Sequence, residues 1–447
     1  MSKLFGTDGI RGIAGDELDG RLAFRVGQAA ALVLNRSSGH RARVLIGRDT
    51  RVSSGMLEAA LTAGVTSVGA DVLLLGLAPT PAVAYLTVSE GADAGFVISA
   101  SHNTFEHNGI KIFGAQGYKL TDQLEYDVEA LIGSPQTIPQ ATHDGVGRVD
   151  RDEAVVDRYI SHLADTVYRD LSSLRIAVDC ANGAAVRTAG ALFSKVGVRY
   201  TLIHDKPDGL NINAGCGSTD MRSLGDTVSS QGFDLGLAFD GDADRCLAVD
   251  DTGRPIDGDR IMAICAFAEL ERGELSQGTI VATVMSNLGF HSFVRGRGLN
   301  VVTTPVGDRN VLEKLLSDGY DLGGEQSGHL IFRRHATTGD GQLTALRLLC
   351  AVKSAGLPAS RMFDGFAPYP QVLVNVRVTG KNAGALAEHP DVVSEIKTAE
   401  TLLGDRGRIL VRPSGTEPLV RVMVEGPDET LVRTLAEDVA SAISRLG

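Results

Sequence analysis

The chain has 447 residues, a formal net charge of −12, 43% apolar residues and 22% charged ones. That is the composition of a soluble globular protein long enough for three or four domains, and its acidity argues against a general nucleic-acid binder. Apolar runs such as Val72-Leu73-Leu74-Leu75 are too short to span a bilayer, so no membrane partner is expected, and the N-terminus shows no apolar secretion segment. Five cysteines without paired spacing (Cys180, Cys216, Cys246, Cys265, Cys350) suit reduced thiols in a cytoplasm.

In chain order, a strand is expected at residues 43–49, then a helical pattern, a small-residue turn at Gly69 and a second strand. Gly91-Ala92-Asp93-Ala94-Gly95 leads into a third apolar stretch and a polar loop. The same order recurs with strands at 175–179 and 279–286, turns at Gly197 and Gly298, and Gly-x-Asp-x-Gly at residues 232–236 and 319–323. Strand, helix, strand, helix, strand is a doubly wound α/β unit, and three unequally spaced copies read as three related domains rather than a solenoid. From about residue 367, strands at 372–378 and 419–425 with helices at 391–402 and 429–446 read as a smaller α+β domain after a Pro368-Tyr369-Pro370 linker. The expected fold class is therefore α/β with four domains, at residues 1–151, 152–253, 254–366 and 367–447.

The loops carry the chemistry. Phe5-Gly6-Thr7-Asp8-Gly9-Ile10-Arg11-Gly12 sets Arg11 on a Gly-rich loop, where a guanidinium can stabilise a transferring phosphoryl group. After the first repeat come Ser99-Ala100-Ser101-His102-Asn103 and Asn108-Gly109-Ile110-Lys111, in which a serine beside a histidine is a candidate nucleophile with a base. After the second comes Asp240-Gly241-Asp242-Ala243-Asp244-Arg245, an oxygen-only set suited to a hard divalent cation. A calcium EF-hand loop would need Gly and Glu where this chain has Arg245 and Asp251. After the third comes Gly324-Glu325-Gln326-Ser327-Gly328-His329, able to grip sugar hydroxyls through Glu325 and Ser327 and to trade protons through His329. In the last domain, Arg412-Pro413-Ser414-Gly415-Thr416-Glu417-Pro418 with Arg421 offers two guanidinium forks, hydroxyls and free backbone N–H groups to an anion. Each of these segments taken singly also makes an ordinary polar turn.

Together the five segments resemble the α-D-phosphohexomutase superfamily, over residues 5–421. The resemblance implies four domains around one deep cleft. It makes Ser101 the phosphorylated serine and Asp240, Asp242 and Asp244 the ligands of one Mg²⁺ per chain, with the serine phosphate as a further ligand. It assigns Glu325, Ser327 and His329 to the sugar, assigns Arg412, Ser414, Gly415, Thr416 and Arg421 to phosphate, and puts Arg11, Lys111 and Arg245 at basic positions of the active centre. His102, Lys111 and His329 are left open as the group that handles the proton of the attacking hydroxyl. Residues 5–12, 98–101 and 304–309 look like the branch acting on glucosamine phosphates, whereas Thr104 stands where relatives often have Pro. The activity implied is interconversion of glucosamine 6-phosphate and glucosamine 1-phosphate through a 1,6-bisphosphate, which would supply UDP-N-acetylglucosamine. Mannose- and glucose-phosphate mutases share most of these motifs and are the alternative, with a non-catalytic sugar-phosphate sensor as the farther one. A phosphorylated hexosamine is the expected partner, and a homodimer is left open.

Overall fold

The computed structural model describes residues 4–6, 8–35, 40–378, 383–413 and 419–446. Within them the chain forms two compact units, one built from the chain up to Val284 together with Asn300–Asp364, the other from Met285–Leu299 and from Gly365 onward.

The first unit holds three mixed sheets. The first runs, edge to edge, Phe5–Gly6, Gly9–Ile13, His107–Gly114, Ala94–Ile98, Arg43–Arg48, Asp71–Leu77, Val149–Arg151. The second is Pro255–Ile256, Cys246–Asp250, Leu235–Phe239, Arg175–Asp179, Arg199–Ile203, and the third is Asn300–Thr304, Thr279–Thr283, Leu322–Gly324, Leu330–Phe332. The repeat read in the sequence is real at the level of pairing. In each sheet the strand after Gly-x-Asp-x-Gly lies parallel to the first strand of its domain and then turns back into an antiparallel partner.

The repeated Asp and Gly have a structural reason. The Asp93 carboxylate accepts the Arg43 N–H at 2.8 Å, and Asp234 accepts that of Arg175 at 2.7 Å. Asp321 makes the same clasp three residues earlier, to the Ser276 N–H at 2.8 Å. Each clasp staples the start of the first strand to the start of the third and satisfies an edge donor. The second glycine of each motif sits where a Cβ would collide: 2.1 Å from Thr87 Oγ1 at Gly95, 2.5 Å from Val249 Cγ2 at Gly236, 2.8 Å from the Val281 carbonyl at Gly323. Beyond these glycines the strands Ala94–Ile98 and Leu235–Phe239 are buried throughout, so they read as continuous apolar runs.

The second unit is a three-stranded antiparallel sheet, Gln371–Arg377, Leu419–Glu425, Arg408–Pro413, with helices Pro390–Leu403 and Glu429–Leu446 packed through Val392, Ala399, Val432, Leu435 and Val439 against Val420, Val422 and Val424. It also takes in the helix Leu288–Arg295, which in sequence lies inside the third expected domain. The buried Glu425 carboxylate pairs with Arg408 at 2.6 Å and accepts the Leu288 N–H at 2.8 Å. Asn287 exchanges two hydrogen bonds with the backbone of Tyr369, and Arg408 donates to the Ser286 carbonyl. These attachments end the strand expected at 279–286 at Thr283.

Candidate active site

The three loops that follow the repeats are equivalent turns at the same end of equivalent hairpins, and they meet in the first unit. Ser101, Asp240, Asp242, Asp244 and His329 are all buried, from 0% to 4% exposed.

The serine loop is held from outside. Ser101 adopts φ 52°, a left-handed backbone that a serine does not choose unaided. Its N–H donates to Ser99 Oγ at 3.0 Å. The fully buried Arg51, ion-paired with Asp49, donates to Ser99 Oγ and to the carbonyls of Ser101 and Asn103. Asn213 donates to the same two carbonyls at 2.9 and 2.8 Å. The Ser101 hydroxyl donates to Asp240 Oδ2 at 2.6 Å. The neighbouring His102 offers Nδ1 only at 3.5 Å, and that nitrogen lies 3.3 Å from the Arg245 guanidinium, which donates to it. The Ser101 hydroxyl thus stands nearer to Asp240 than to the adjacent histidine. Burial and the charges of Arg245 and Arg11 push the His102 imidazole down to about 4, so it is neutral near pH 7.

The aspartate loop is held by its own turn and by backbone N–H groups of Thr80, Ala184 and Gly341, which donate to the carbonyls of Asp242, Gly241 and Ala243 at 2.9, 2.8 and 3.0 Å. The Ala243 N–H donates to the Asp240 carbonyl at 3.1 Å and the Arg245 N–H to Asp240 Oδ1 at 3.2 Å, with Ala243 at φ 57°. Asp242 is buttressed by Thr80, whose hydroxyl donates to Oδ2 at 2.6 Å. The Lys111 ammonium, 1% exposed, donates to Asp242 at 2.7 Å and Asp244 at 3.0 Å. Burial raises the Asp240 carboxyl, and the charges of Asp244 and Asp242 raise it further. Burial opposes charge on Asp244 as well, but Lys111, His329 and Arg245 hold it well below the usual carboxylate range.

Three buried carboxylates with ligand atoms within 4.8 Å of one another fit a divalent cation. Asp242 Oδ1 is buried and accepts no hydrogen bond, which is the pattern of an oxygen kept for a ligand, and Asp244 Oδ1 faces only His329 at 3.7 Å and Arg245 at 3.9 Å. The donor set is all oxygen, which favours Mg²⁺ over Zn²⁺.

The third loop closes on the second hairpin. The Cys246 N–H donates to the Gly328 carbonyl at 3.1 Å, and the Gly258 N–H to that of Gln326 at 3.0 Å. Glu325 Oε1 accepts the Gly307 N–H at 3.1 Å, while Ser327 Oγ is buried without a hydrogen-bond partner. His329 stands 3.7 Å from both Asp244 and Asp308, and its Nε2 accepts the Gly339 N–H at 3.2 Å. Burial works against charge on His329, yet its hydrogen bond to Asp244 and the charges of Asp244 and Asp308 raise its pKa. Arg11 is paired with Asp8 at 2.6 Å, and Asp8 with Lys119 at 2.5 Å, forming a basic and acidic chain that continues to Asp308. Arg11 Nε and Arg245 Nε are buried without hydrogen-bond partners, the latter 3.9 Å from Asp244 Oδ1.

In the second unit, Arg412 and Arg421 are direct cross-strand partners. Ser414, Gly415 and Thr416 lie outside the described residues.

Sequence reading did not single out Arg51, Asp49, Thr80 or Asn213. The first two had a signal, since Asp49-Thr50-Arg51 follows a strand end just as the other polar loops do. Asn213 had none.

Comparison with known proteins agrees with this geometry. Models of the phosphoglucomutase/phosphomannomutase family match residues 2–138 (alpha/beta/alpha domain I), 157–253 (domain II), 257–369 (domain III) and 373–442 (C-terminal domain). A phosphoglucosamine mutase of Pelotomaculum thermopropionicum is 52% identical over 448 residues, covering 100% of both chains. One of Rhodococcus jostii is 51% identical, covering 99% of this chain and 100% of its own. Among solved structures, a phosphoglucomutase/phosphomannomutase family protein of Burkholderia thailandensis has a TM-score of 0.82 at 24% identity, covering 100% of this chain and 98% of that one. An N-acetylphosphoglucosamine mutase of Aspergillus fumigatus has a TM-score of 0.70 at 19% identity, covering 99% and 96%. At such identity these two likenesses concern the fold. No helix among the described residues is long and apolar enough to cross a membrane.

Proposed function

The chain belongs to the phosphoglucomutase/phosphomannomutase family, and we propose that it is its own phosphoryl carrier: a phosphoglucosamine mutase that shuttles the group through Ser101. It is an isomerase that interconverts glucosamine 6-phosphate and glucosamine 1-phosphate, the activity for which its full-length relatives at about half identity are named. The observation that carries the shuttle is the Ser101 hydroxyl, strained into φ 52° and aimed at Asp240 at 2.6 Å inside a buried acidic pocket.

In the forward direction the P–O bond to Ser101 breaks as a P–O bond to the 1-hydroxyl of glucosamine 6-phosphate forms; that hydroxyl's proton passes to a base of the site, and Ser101 Oγ takes up a proton as its phosphoryl group departs. The resulting 1,6-bisphosphate turns over. Its 6-phosphoryl group returns to Ser101, whose own hydroxyl proton is already directed at Asp240. Asp240, Asp242, Asp244 and the Ser101 phosphate would hold Mg²⁺, which when bound supplies neutralising charge to the phosphoryl oxygens and the serine oxygen. Lys111, ion-paired to two of those aspartates, contributes positive charge beside the reacting phosphoryl group, and Arg11 and Arg245 add guanidinium donors. Glu325 and Ser327 orient the sugar, with His329 beside them as a proton carrier. Arg412 and Arg421, with Ser414, Gly415 and Thr416, grip the phosphate that is not reacting, and the cross-strand arginine pair supports that role.

The test is the intact mass of the purified protein together with a substrate panel. One phosphate adduct is expected, absent from Ser101→Ala, and glucosamine 6-phosphate should turn over faster than mannose or glucose 6-phosphate. A preference for mannose 6-phosphate would move the chain to another branch of the family. Binding without turnover in both forms of the protein would make it a sensor.

A further inference from the structure

We propose that Asp179, His204 and Cys216 form a second cation site, distinct from the three aspartates and selective for a thiolate-binding, Zn²⁺-class ion. One ligand atom of each lies within 4.8 Å of the others. The set is one oxygen, one nitrogen and one sulfur, the mixture that a borderline-soft cation prefers and Mg²⁺ does not. Three protein ligands leave a fourth tetrahedral position for water, and the site is open on one side, where His204 is 30% exposed.

The frame around these residues is held by hydrogen bonds. Asp179 ends the strand Arg175–Asp179, and its carboxylate accepts from the N–H groups of Ala181 at 2.8 Å and Gly217 at 2.9 Å and from His204 Nδ1 at 2.9 Å. The bond between His204 Nδ1 and Asp179 already brings two of the three ligand atoms to 2.9 Å, and a cation would take the place of the proton they share, leaving the ring's N–H on the partly exposed Nε2 side. Asn182 Nδ2 contacts Cys216 Sγ at 3.9 Å. Ala181, Asn182, His204 and Asn213 all take positive φ, between 48° and 57°, and Gly215 and Gly217 join them. These four non-glycine residues lie on three segments that converge on the cluster, and the left-handed turns, which Asn and His adopt readily, set its shape.

The site backs onto the catalytic serine. The Asn213 N–H donates to the Ala181 carbonyl at 3.0 Å, and its side chain holds the carbonyls of Ser101 and Asn103. A cation binding here displaces the Cys216 thiol proton to solvent and ties together the segments that carry Asn213.

Cobalt is the probe. With Mg²⁺ in large excess, one equivalent of Co²⁺ should give the near-ultraviolet thiolate-to-metal charge-transfer band, which the oxygen-only triad cannot produce. Zn²⁺ should abolish the band and raise the melting temperature. Cys216→Ser, nearly isosteric, should lose both effects while keeping its fold by circular dichroism. Should that variant not fold, His204→Gln, on a partly exposed ring, carries the same test. No thiolate band in the wild type, or an equal band in a folded Cys216→Ser, overturns the proposal.

Discussion

The serine loop and the aspartate loop are equivalent turns on equivalent hairpins, yet they are braced from outside by different means. The serine loop adds to its own turn bonds, from the Ser101 N–H to Ser99 Oγ and from the Asn103 N–H to the Ala100 carbonyl, two side chains distant in sequence, Arg51 and Asn213, that grip its carbonyls. The aspartate loop adds to the Ala243 and Arg245 N–H groups of its own turn the backbone N–H groups of Thr80, Ala184 and Gly341 on its carbonyls. The difference suits their tasks. A ligand set needs fixed mutual spacing, which backbone-to-backbone bonds supply. A nucleophile that alternates between free and phosphorylated forms needs its carbonyls anchored while its side chain changes.

Removing the chemical groups themselves should cost most and should not separate the loops. Ser101→Ala and Asp240→Ala are each expected to lower kcat by about 10³-fold or more, since groups acting as one unit fail together. Mg²⁺ affinity, followed by calorimetry, should tell them apart. It should fall in Asp240→Ala irrespective of phosphorylation, and in the wild type it should be tighter for the phosphorylated than for the dephosphorylated form. Equal affinity in those two forms would remove the serine phosphate from the ligand set.

The external clamp is the sharper contrast. Arg51→Met would leave Asp49 as an uncompensated buried charge, at about 3–5 kcal/mol, and the protein would be hard to purify. Arg51→Lys keeps the ion pair with Asp49 but cannot fork to Ser99, Ser101 and Asn103 together. It should fold, keep its KM within about twofold, and lose kcat by roughly 10- to 100-fold, the effect of a small misplacement of a reacting atom. Steady-state kinetics on the folded fraction checks this. Unchanged kcat would mean that Ser101 needs no outside support, and the contrast between the loops would vanish.

How much of this was legible follows the same division. The aspartate loop declared itself because its three candidate ligands lie within five consecutive residues. The repeat was legible because Gly-x-Asp-x-Gly encodes both a local clasp and a packing constraint. Arg51, Asn213 and Thr80 act across 50 to 162 residues of sequence, and no local pattern reports such a contact. Adjacency does not rank the serine's neighbours either: His102 follows Ser101 in sequence, yet its Nδ1 lies 3.5 Å from the hydroxyl and also receives Arg245, whereas Asp240, far along the chain, stands at 2.6 Å. The helix Leu288–Arg295 was assigned by its place in the chain, whereas Glu425 and Asn287, neither of them part of a recognisable motif, decide its company.

The smallest expected effect tests how far the aspartate loop depends on its outside supports. One of its outside supports is the start of the helix Gly341–Ala355, where the Gly341 N–H donates to the Ala243 carbonyl at 3.0 Å. Asp340 caps that helix: it accepts the Leu343 N–H at 2.9 Å, and Tyr159 donates to both of its oxygens. Burial pushes the Asp340 carboxyl up to about 6, above the value of about 3.9 in an unfolded chain. Folding therefore favours the protonated form. The stability this gives is complete below about pH 4 and is lost as pH rises through about 6. Asp340→Asn keeps an acceptor for Leu343 and never ionises. It should melt like the wild type near pH 4 and higher than the wild type at pH 8, by an amount equivalent to about 1–3 kcal/mol. If the aspartate loop holds its own shape, kcat should stay within about twofold at both pH values. A large loss of kcat in a stabilised Asp340→Asn would show that this loop, like its serine counterpart, takes its geometry from elsewhere.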